Sequence, residues 1–591
     1  MVPAIYLMES FILKGGHFMT WQATLAQWQA FDALDATLKA ELDAIQDEEL
    51  LKDAFGGKLS FGTAGMRGIL GAGPNRMNIY TVRQATEGLA QLIEQAGEEA
   101  KHRGVAIAYD SRHYSPEFAM EAALVLGHHG IKAYVFESLR PTPELSFAVR
   151  YLKAYAGIMI TASHNPAAYN GYKVYGEDGG QMPPEDADKL TTFVRAVENP
   201  LTVAVGDKTD LLGSGIVEII GDHVDQAYLA EMKSVTINPE LVAEMAEQVN
   251  IVFTPLHGTG MYLGLKALNQ AGFNTIHVVQ AQATPDGDFP TVKSPNPESE
   301  AAFEMAETLA KQVEADILLA TDPDADRLGA KVRTKSGDYQ LLTGNQIAVM
   351  MLDYILEAKK LRGELPANGV AVKSIVSTDF ANAITKAYAL ETVEVLTGFK
   401  FIAEKIQQYE ETGSNTFLLG FEESYGYLIK PFARDKDAIQ ALVVLAELTA
   451  FHKKAGRTLA DVLESMYEKY GYFYEKTISI DFPGLSGQAK MAEIMQRIRT
   501  EGVQSFGGLK VVKSADYLSG KLVLADGTEE VLPYPASDAL KYTLEDGSWV
   551  AFRPSGTEPK IKLYLGTCGQ SHEDVQSKAR AIEADIATLT A

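Results

Sequence analysis

Apolar positions along the chain follow two alternating periods. Short unbroken apolar runs, such as residues 105–109 (VAIAY) and 156–160 (AGIMI), are typical of strands buried in a sheet. Between them lie segments with apolar residues three and four positions apart, such as 117–127, where the preceding Ser115-Pro116 favours a helix start. This alternation predicts α/β units whose functional turns lie at the carboxyl ends of the strands.

The same alternation recurs in two later stretches, residues 250–327 and 369–424. The tail differs, because its β-branched runs favour antiparallel pairing. We therefore predict an α/β fold of four domains, with three related mixed α/β sheet units and a C-terminal α+β domain. The predicted segments are an N-terminal extension and helix (1–45) and domains 1 to 4 at residues 46–205, 206–330, 331–465 and 466–591.

The first 45 residues contain two different kinds of sequence. Residues 1–18 are apolar, but Glu9 and Lys14 interrupt them and they lack the basic start of a signal peptide. Residues 19–42 have the spacing of one amphipathic helix. We expect Met19 to be the natural start and the preceding residues to be an upstream extension.

The composition excludes several classes of protein. A net charge of −25 and a pI of about 4.9 argue against a nucleic-acid-binding protein, because phosphate backbones demand a basic face. The sequence contains no run of about 18 uncharged apolar residues, so no membrane span is predicted. The single cysteine, Cys568, cannot form an internal disulfide, which favours a reducing compartment such as the cytoplasm.

Three carboxylates at alternate positions, Asp322, Asp324 and Asp326, directly follow an apolar run. In a turning loop this spacing can direct all three at one hard cation through oxygen ligands. An EF-hand loop does not fit, because Arg327 stands where glycine is needed and Arg333 where glutamate is needed. The alternative interpretation is a solvated acidic turn.

The stretch "TASHNP" (161–166) follows the apolar run 156–160. Its residues are ordinary turn formers, but Ser163 is also a candidate nucleophile or phosphate carrier. The neighbouring His164 does not indicate a serine-hydrolase pair, since adjacent side chains on an extended strand point in opposite directions. Lys173, in "YNGYK", becomes a candidate acid or base if Ser163 carries a phosphate.

Three glycine-containing stretches are candidate ligand sites. In "RPSGTEP" (553–559), hydroxyls, backbone N–H groups and an arginine could surround one phosphate, although the same residues also suit a plain hairpin turn. In "SFGTAGMRG" (60–68), Arg67 could pair with a phosphate, but the spacing does not match a dinucleotide fingerprint. In "GFEES" (420–424), the carboxylates follow an apolar run and suit either sugar hydroxyls or a helix N-terminus.

These motifs occur once each, in one order and one per predicted domain. "TASHNP", "DPDADR", "GFEES" and "RPSGTEP", together with "GTAGMRG" and "NGYK", resemble the α-D-phosphohexomutase superfamily of phosphoglucomutases, phosphomannomutases and phosphopentomutases. The resemblance covers the chain from about residue 50 to its end. It implies four domains around a central cleft, and an intramolecular phosphotransferase that acts on small sugar phosphates.

The resemblance also implies roles for individual residues. Ser163 would be the phosphoserine, and it would hold Mg²⁺ together with Asp322, Asp324 and Asp326. Lys173 is the first candidate for the general base and His164 the second, while Arg67 and Arg327 would neutralise charge. The implied substrate-binding residues are Thr397 and Gly398 in a closing loop, Glu422 and Ser424 in the sugar loop, and Arg553, Ser555, Gly556 and Thr557 in a distal phosphate loop.

The reaction that the resemblance implies is the interconversion of glucose 1-phosphate and glucose 6-phosphate, with glucose 1,6-bisphosphate as activator and intermediate. The "EES" of the sugar loop resembles the glucose enzymes. Three alternatives stay open: a mutase for mannose or pentose phosphates, a non-catalytic sugar-phosphate sensor, and a phosphatase that releases phosphate to water.

Overall fold

A computed structural model describes residues 20–62, 65–482, 487–555 and 560–590 of the 591-residue chain. The proposed start at Met19 and the extension before it lie outside these residues. No helix in the described part of the chain is long and apolar enough to cross a membrane.

Three short helices lead into the first domain, where one continuous helix was predicted over residues 19–42. That prediction is wrong, because the side chain of Asp35 accepts hydrogen bonds from the Thr37 and Leu38 N–H groups and starts a second helix. The break also lets the Asp35 N–H donate to the hydroxyl of Tyr80 at 2.9 Å. The helices are α1 (Trp21–Gln29), α2 (Ala36–Ala44) and α3 (Glu48–Phe55).

Domain 1 is built on a mixed sheet in the order β1-β5-β4-β2-β3-β6. Strands β4, β2, β3 and β6 are parallel, while β1 and β5 run antiparallel to their neighbours. The strands are β1 (Met66–Ile69), β2 (Val105–Tyr109), β3 (Ala133–Phe136), β4 (Ala156–Ile160), β5 (Tyr169–Tyr175) and β6 (Val217–Ile220), and the helices are α4 (Ile79–Ala96), α5 (Glu98–Arg103), α6 (Ser115–His128), α7 (Thr142–Leu152), α8 (Pro184–Ala196) and α9 (Lys208–Ser214).

Domain 2 has a five-stranded sheet in the order β11-β10-β9-β7-β8. The sheet of domain 1 extends to Ile220, past the predicted boundary at residue 205. Residue 330, the next predicted boundary, lies within β10, and the sheet of domain 2 continues to Leu341. The elements are α10 (Asp222–Met232), α11 (Pro239–Met245), β7 (Ile251–Thr254), α12 (Gly260–Ala271), β8 (Ile276–Val278), α13 (Gln280–Ala283), α14 (Glu304–Val313), β9 (Ile317–Thr321), β10 (Leu328–Arg333) and β11 (Tyr339–Leu341).

Domain 3 has a four-stranded sheet in the order β13-β12-β14-β15. Its helix α18 is buried along most of its length and packs against helices of domain 2, so these two domains share one core. The elements are α15 (Gly344–Leu361), β12 (Gly369–Ser374), α16 (Phe380–Ala387), β13 (Glu391–Val395), α17 (Phe399–Thr412), β14 (Thr416–Glu422), β15 (Gly426–Leu428), α18 (Ala438–Lys454) and α19 (Leu459–Tyr470).

Domain 4 has an antiparallel sheet in the order β16-β23-β22-β21-β18-β19-β20, with β17 paired to β18, and it has a core of its own. The elements are β16 (Tyr472–Asp481), α20 (Gly487–Glu501), β17 (Ser505–Phe506), β18 (Leu509–Asp516), β19 (Lys521–Leu524), β20 (Glu529–Val531), β21 (Leu540–Leu544), β22 (Trp549–Pro554), β23 (Lys560–Gly569) and α21 (His572–Thr590).

The predicted fold class is confirmed, with three mixed α/β sheet units followed by a sheet-rich C-terminal domain. The candidate motifs lie where the strand pattern predicted them, since the loops at 161–166, 322–327 and 423–425 follow the carboxyl ends of β4, β9 and β14. Three separate sheets therefore present their functional turns to one region.

Candidate active site

The loop after β9 holds three buried aspartates. Ligand oxygens of Asp322, Asp324 and Asp326 lie within 4.8 Å of one another, and none of the three side chains is more than 2% exposed. One oxygen each of Asp324 and Asp326 is buried with no hydrogen-bond partner among the described residues. Buried carboxylate oxygens are costly unless they are paired, so this donor set fits a hard divalent cation such as Mg²⁺.

Ser163 lies in the loop after β4 and faces this cluster. Its Oγ donates to Asp322 Oδ2 at 2.7 Å and lies 3.2 Å from His164 Nδ1. Its backbone has a left-handed φ of 52°, an uncommon conformation for a residue with a side chain, and its N–H donates to Thr161 Oγ1. The turn therefore aims the hydroxyl at the aspartates.

Arg112 lies outside the predicted motifs, and its side chain contacts the backbone of this loop. Its guanidinium donates to the backbone carbonyl oxygens of Ser163 (2.6 Å), Asn165, Pro166 (2.9 Å) and Tyr169 (3.0 Å). The five N–H groups of a planar guanidinium suit such a set of acceptors. Arg112 is thus a candidate positioning residue for Ser163.

The burial of Arg112 is compensated from two sides. The carboxylate of Asp110 lies 3.3 Å from Arg112 Nε, and both side chains are fully buried. The ring of Phe289, from domain 2, covers the guanidinium at 5.0 Å. Domain 2 therefore contributes directly to the support of the Ser163 loop.

Lysines from two domains approach the aspartates. Lys173 Nζ, on β5, lies 2.9 Å from Asp324 and 3.5 Å from Asp326, and Lys436 Nζ, from domain 3, lies 3.2 Å from Asp326. Burial lowers the pKa of both lysines, but the aspartates outweigh it and the net shift is upward. Both lysines are therefore ammonium ions here.

The pKa values of Asp322 and Asp324 shift in opposite directions. Burial, with the neighbouring Asp324 and Asp326, raises the pKa of Asp322 well above its usual range. Burial also acts on Asp324, but Lys173 holds the pKa of that carboxyl well below its usual range. The cluster thus combines a carboxylate that is firmly charged with one that resists ionisation.

His164 and two arginines complete this part of the site. Burial, with the charges of Arg327 and Arg67, pushes the pKa of His164 well below its usual range, so its imidazole is neutral. Arg67 donates to the side chain of Asn165 at 2.9 Å, and Arg327 donates to Glu298 at 2.7 Å. Both arginines therefore lie beside the Ser163 and aspartate loops.

The predicted sugar loop lies beside the aspartate loop, because Arg327 pairs with Gly426 and the Leu328 N–H donates to the Tyr425 carbonyl. Glu422 Oε1 accepts from the Gly398 N–H at 2.8 Å, which joins it to the predicted closing loop. Thr397 and Ser424 are partly exposed.

The predicted distal phosphate loop is only partly described. Arg553 lies on β22 directly opposite Lys562 of β23, so two positive charges are cross-strand neighbours. Ser555 follows β22, and its N–H donates to the Lys560 carbonyl at 2.8 Å. Gly556 and Thr557 lie outside the described residues. Burial and the neighbouring Glu422 raise the pKa of Glu423 in the sugar loop, and the charge of Arg553 opposes that shift.

Four family models match successive parts of the chain. They describe domains I, II and III (alpha/beta/alpha) and the C-terminal domain of phosphoglucomutase/phosphomannomutase, and they match residues 58–200, 226–335, 343–470 and 495–584. The chain belongs to the phosphoglucomutase/phosphomannomutase family. The predictions of this family and of an isomerase that transfers a phosphoryl group are confirmed.

Curated members of the phosphoglucomutase/phosphomannomutase family cover nearly the whole chain. A phosphoglucomutase of Staphylococcus saprophyticus is 37% identical over 549 residues, which are 93% of this chain and 97% of the relative. A phosphoglucomutase of Staphylococcus epidermidis is 40% identical over 536 residues, which are 90% of this chain and 95% of the relative.

Solved structures share the family fold. A putative phosphomannomutase from Thermus thermophilus has a TM-score of 0.66 at 21% identity, over 90% of this chain and 99% of its own. The phosphoglucomutase parafusin from Paramecium, in an open form, has a TM-score of 0.66 at 18% identity, over 90% of this chain and 95% of its own.

Sequence reasoning missed two further residues beside the phosphoglucomutase/phosphomannomutase motifs. Thr142 bonds Asp324 twice, from its N–H to the carbonyl oxygen and from Oγ1 to Oδ2, each at 2.9 Å. Lys436 approaches Asp326 from a different domain. Thr142 precedes a helix-starting proline and Lys436 stands in an "RDKD" run, but neither pattern reveals a partner so distant in sequence.

Proposed function

We propose that this chain is a Mg²⁺-dependent phosphoglucomutase that interconverts α-D-glucose 1-phosphate and glucose 6-phosphate through a phosphoserine at Ser163 and a glucose 1,6-bisphosphate intermediate. The observation that carries the proposal is the 2.7 Å hydrogen bond from Ser163 Oγ to Asp322, within a cluster of three buried carboxylates. The choice of glucose is supported by the relatives named phosphoglucomutase, which are 37–40% identical.

Asp322, Asp324 and Asp326 would hold Mg²⁺, with a phosphate oxygen on Ser163 as a further ligand. When bound, the ion supplies positive charge to the phosphoryl group during transfer. Arg67, Lys173 and Arg327 would offset the remaining negative charge, since a phosphoserine adds about −1.5 to −2 charges at pH 7.

The transfer needs an in-line acceptor and a proton acceptor. The free hydroxyl of the sugar monophosphate attacks the phosphorus, its oxygen forms the new O–P bond, and the bond to Ser163 Oγ breaks. The hydroxyl proton passes to His164, whose imidazole is neutral, or to Lys173, which must first release its own proton because the aspartates raise its pKa. After the bisphosphate turns around, its other phosphoryl group returns to Ser163.

The sugar and its second phosphate would be held by the remaining predicted residues. Glu422 and Ser424 would accept and donate at the sugar hydroxyls, and Thr397 and Gly398 would close over the ring. A separate anion site is required because either phosphate of the intermediate must occupy it in turn. That site would be formed by Arg553, Ser555, Gly556 and Thr557.

Initial rates with α-glucose 1-phosphate, α-mannose 1-phosphate and α-ribose 1-phosphate test the proposal, each with Mg²⁺ and a trace of the matching bisphosphate. We expect a clear preference for the glucose substrate and loss of turnover in Ser163→Ala. A preference for ribose or mannose would overturn the sugar assignment. Absence of turnover with all three would support the sensor, and free phosphate at a comparable rate would support the phosphatase.

A further inference from the structure

One short segment of domain 3 contacts both domain 1 and the aspartate loop of domain 2. We call Arg434–Ala438 the clasp. At its first residue the N–H donates to Ser146 Oγ of domain 1 at 2.7 Å, and at its last residue the N–H donates to the carbonyl of Ala325, in the aspartate loop, at 3.2 Å. The clasp therefore joins domains 1, 2 and 3 at the start of helix α18.

Within the clasp, the carboxylate of Asp435 is almost completely buried, with 1% exposure. Its Oδ2 accepts from the Tyr175 hydroxyl at 2.8 Å and from Gln181 Nε2 at 3.0 Å, both in domain 1. Its Oδ1 accepts from the N–H and from Nζ of Lys436, at 2.8 and 3.1 Å. One oxygen of the Asp435 carboxylate thus binds domain 1, and the other binds Lys436.

The ammonium of Lys436 is held between Asp435 and Asp326, at 3.1 and 3.2 Å. Its aliphatic stem crosses Gly426, where an added Cβ would lie 2.2 Å from the Lys436 Cδ atom. The Lys436 side chain is therefore held by Asp435, Asp326 and Gly426. Of the two carboxylates, Asp435 is the one outside the aspartate loop.

Strand β5 couples this arrangement to the first lysine of the site. Lys173 and Tyr175 stand two positions apart, so both point to the same face of β5. One reaches Asp324 and the other Asp435. A single strand of domain 1 thus sets the positions of both lysines that approach the aspartates.

We propose that Asp435, held by Tyr175, is a positioning residue that keeps the Lys436 ammonium beside Asp326 and available to the sugar phosphate. Donation from Tyr175 and Gln181 to Oδ2 fixes the orientation of the Asp435 carboxylate, so that Oδ1 holds the Lys436 ammonium at one position. Without the Tyr175 hydroxyl the carboxylate can rotate, and the ammonium is no longer held beside Asp326. This inference rests on the proposed mutase activity, through which its effect is measured.

The clasp contains its own control. Tyr228 donates its hydroxyl to Asp437 at 2.8 and 2.9 Å, and like Tyr175 it is fully buried. Asp437, however, caps helix α18 by accepting from the Ile439 and Gln440 N–H groups. Each of the variants Tyr175→Phe and Tyr228→Phe therefore removes one tyrosine hydroxyl that donates to the clasp. Tyr175→Phe loses the contact with Asp435 beside Lys436, and Tyr228→Phe loses the contact with Asp437 at the helix cap.

The experiment compares the full-length wild type, Tyr175→Phe and Tyr228→Phe in three measurements: Tm, KM and kcat for α-glucose 1-phosphate, and the rise in Tm caused by glucose 6-phosphate with Mg²⁺. Both variants should lower Tm by about 2–4 °C, since each loses one buried hydrogen bond. Tyr175→Phe should raise KM by about 5- to 20-fold with a smaller change in kcat and reduce the ligand-induced rise, whereas Tyr228→Phe should change KM by less than about 2-fold.

Equal KM values in the two variants, with an active wild type, would overturn the inference and leave the proposed function intact. A wild type without mutase activity would instead contradict the proposed function. Asp435→Asn gives a second test, because it removes the counter-charge of Lys436 and should raise KM more than Tyr175→Phe does. A smaller effect of Asp435→Asn in folded protein would also overturn the inference.

Discussion

Arg112 donates to the carbonyl oxygen of Ser163 at 2.6 Å, and this contact holds the left-handed backbone from which the Ser163 hydroxyl reaches Asp322. A left-handed turn at a residue with a side chain costs about 1 kcal/mol or more, so it persists only where surrounding contacts fix it. The buried guanidinium supplies those contacts.

Arg112→Lys should lower kcat by at least about 10-fold and also lower Tm. Lysine keeps the charge beside Asp110 but has three donors on one atom and cannot span four carbonyls. Steady-state rates and thermal unfolding measure both effects. The matched control is Arg103→Lys, since Arg103 also donates to two backbone carbonyls, at Lys153 and Ala154, but far from the site. Equal losses of kcat in both variants would refute a positioning role for Arg112.

Thr142→Val should weaken Mg²⁺ binding by about 3- to 10-fold, because Asp324 Oδ2 loses one of the donors that orient it. Binding is measured by titrating the Mg²⁺-dependent rise in Tm, which is independent of turnover. Thr191→Val is the control, since that threonine donates to a backbone carbonyl within helix α8. An unchanged Mg²⁺ midpoint in Thr142→Val would show that the threonine does not orient the ligand.

Lys173→Ala should lower kcat for the mutase reaction far more than it raises KM. The ammonium lies 2.9 Å from Asp324, within reach of the reacting groups of the proposed mechanism. The comparison is with Lys132→Ala, which removes an ion pair with Glu218 at the far edge of the same sheet. A near-normal kcat in Lys173→Ala would exclude this lysine from proton transfer and leave His164 as the candidate.

Glu475→Gln should flatten part of the pH dependence of stability. Burial raises the pKa of Glu475, which accepts from Thr378, from 4.5 to about 7. The unfolded chain therefore releases this proton at a lower pH than the folded chain does, so stability is lost as pH rises from about 4.5 to about 7. As pH rises from 4.5 to 8, the unfolding free energy of the variant minus that of wild type should increase by about 1–3 kcal/mol. Parallel stability curves from denaturant titrations would contradict this.

The sequence was sufficient to predict the fold class and the positions of the candidate loops at the ends of strands. Strand-ending motifs could be read because each is local: apolar residues 317–320 end at the three aspartates, and residues 156–160 end at the Ser163 loop. The one helix predicted near the N-terminus failed because the cap at Asp35 and its contact with Tyr80 outweigh the apolar spacing.

The residues that support the candidate site could not be predicted from the sequence, and the reason is physical. Arg112, Thr142 and Lys436 act through partners that are brought near only by packing between sheets, as with Lys436 and Asp326. A lysine in an acidic run is more often a solvated surface residue, and nothing local distinguishes it. The positions of Lys173 and Tyr175 on one face of β5 follow from strand geometry, but their separate partners do not.

The clasp has a consequence for the order in which a newly made chain becomes competent. Ser163 and the aspartate loop leave the ribosome well before Arg434–Ala438 is synthesised, because synthesis runs from the N-terminus. Until domain 3 has been made and has docked, the buried aspartates lack Lys436, and Tyr175 has no carboxylate to bind. A nascent chain with domains 1 and 2 alone would carry Ser163 and the aspartate loop without Lys436, so the candidate site is complete only after domain 3 has docked.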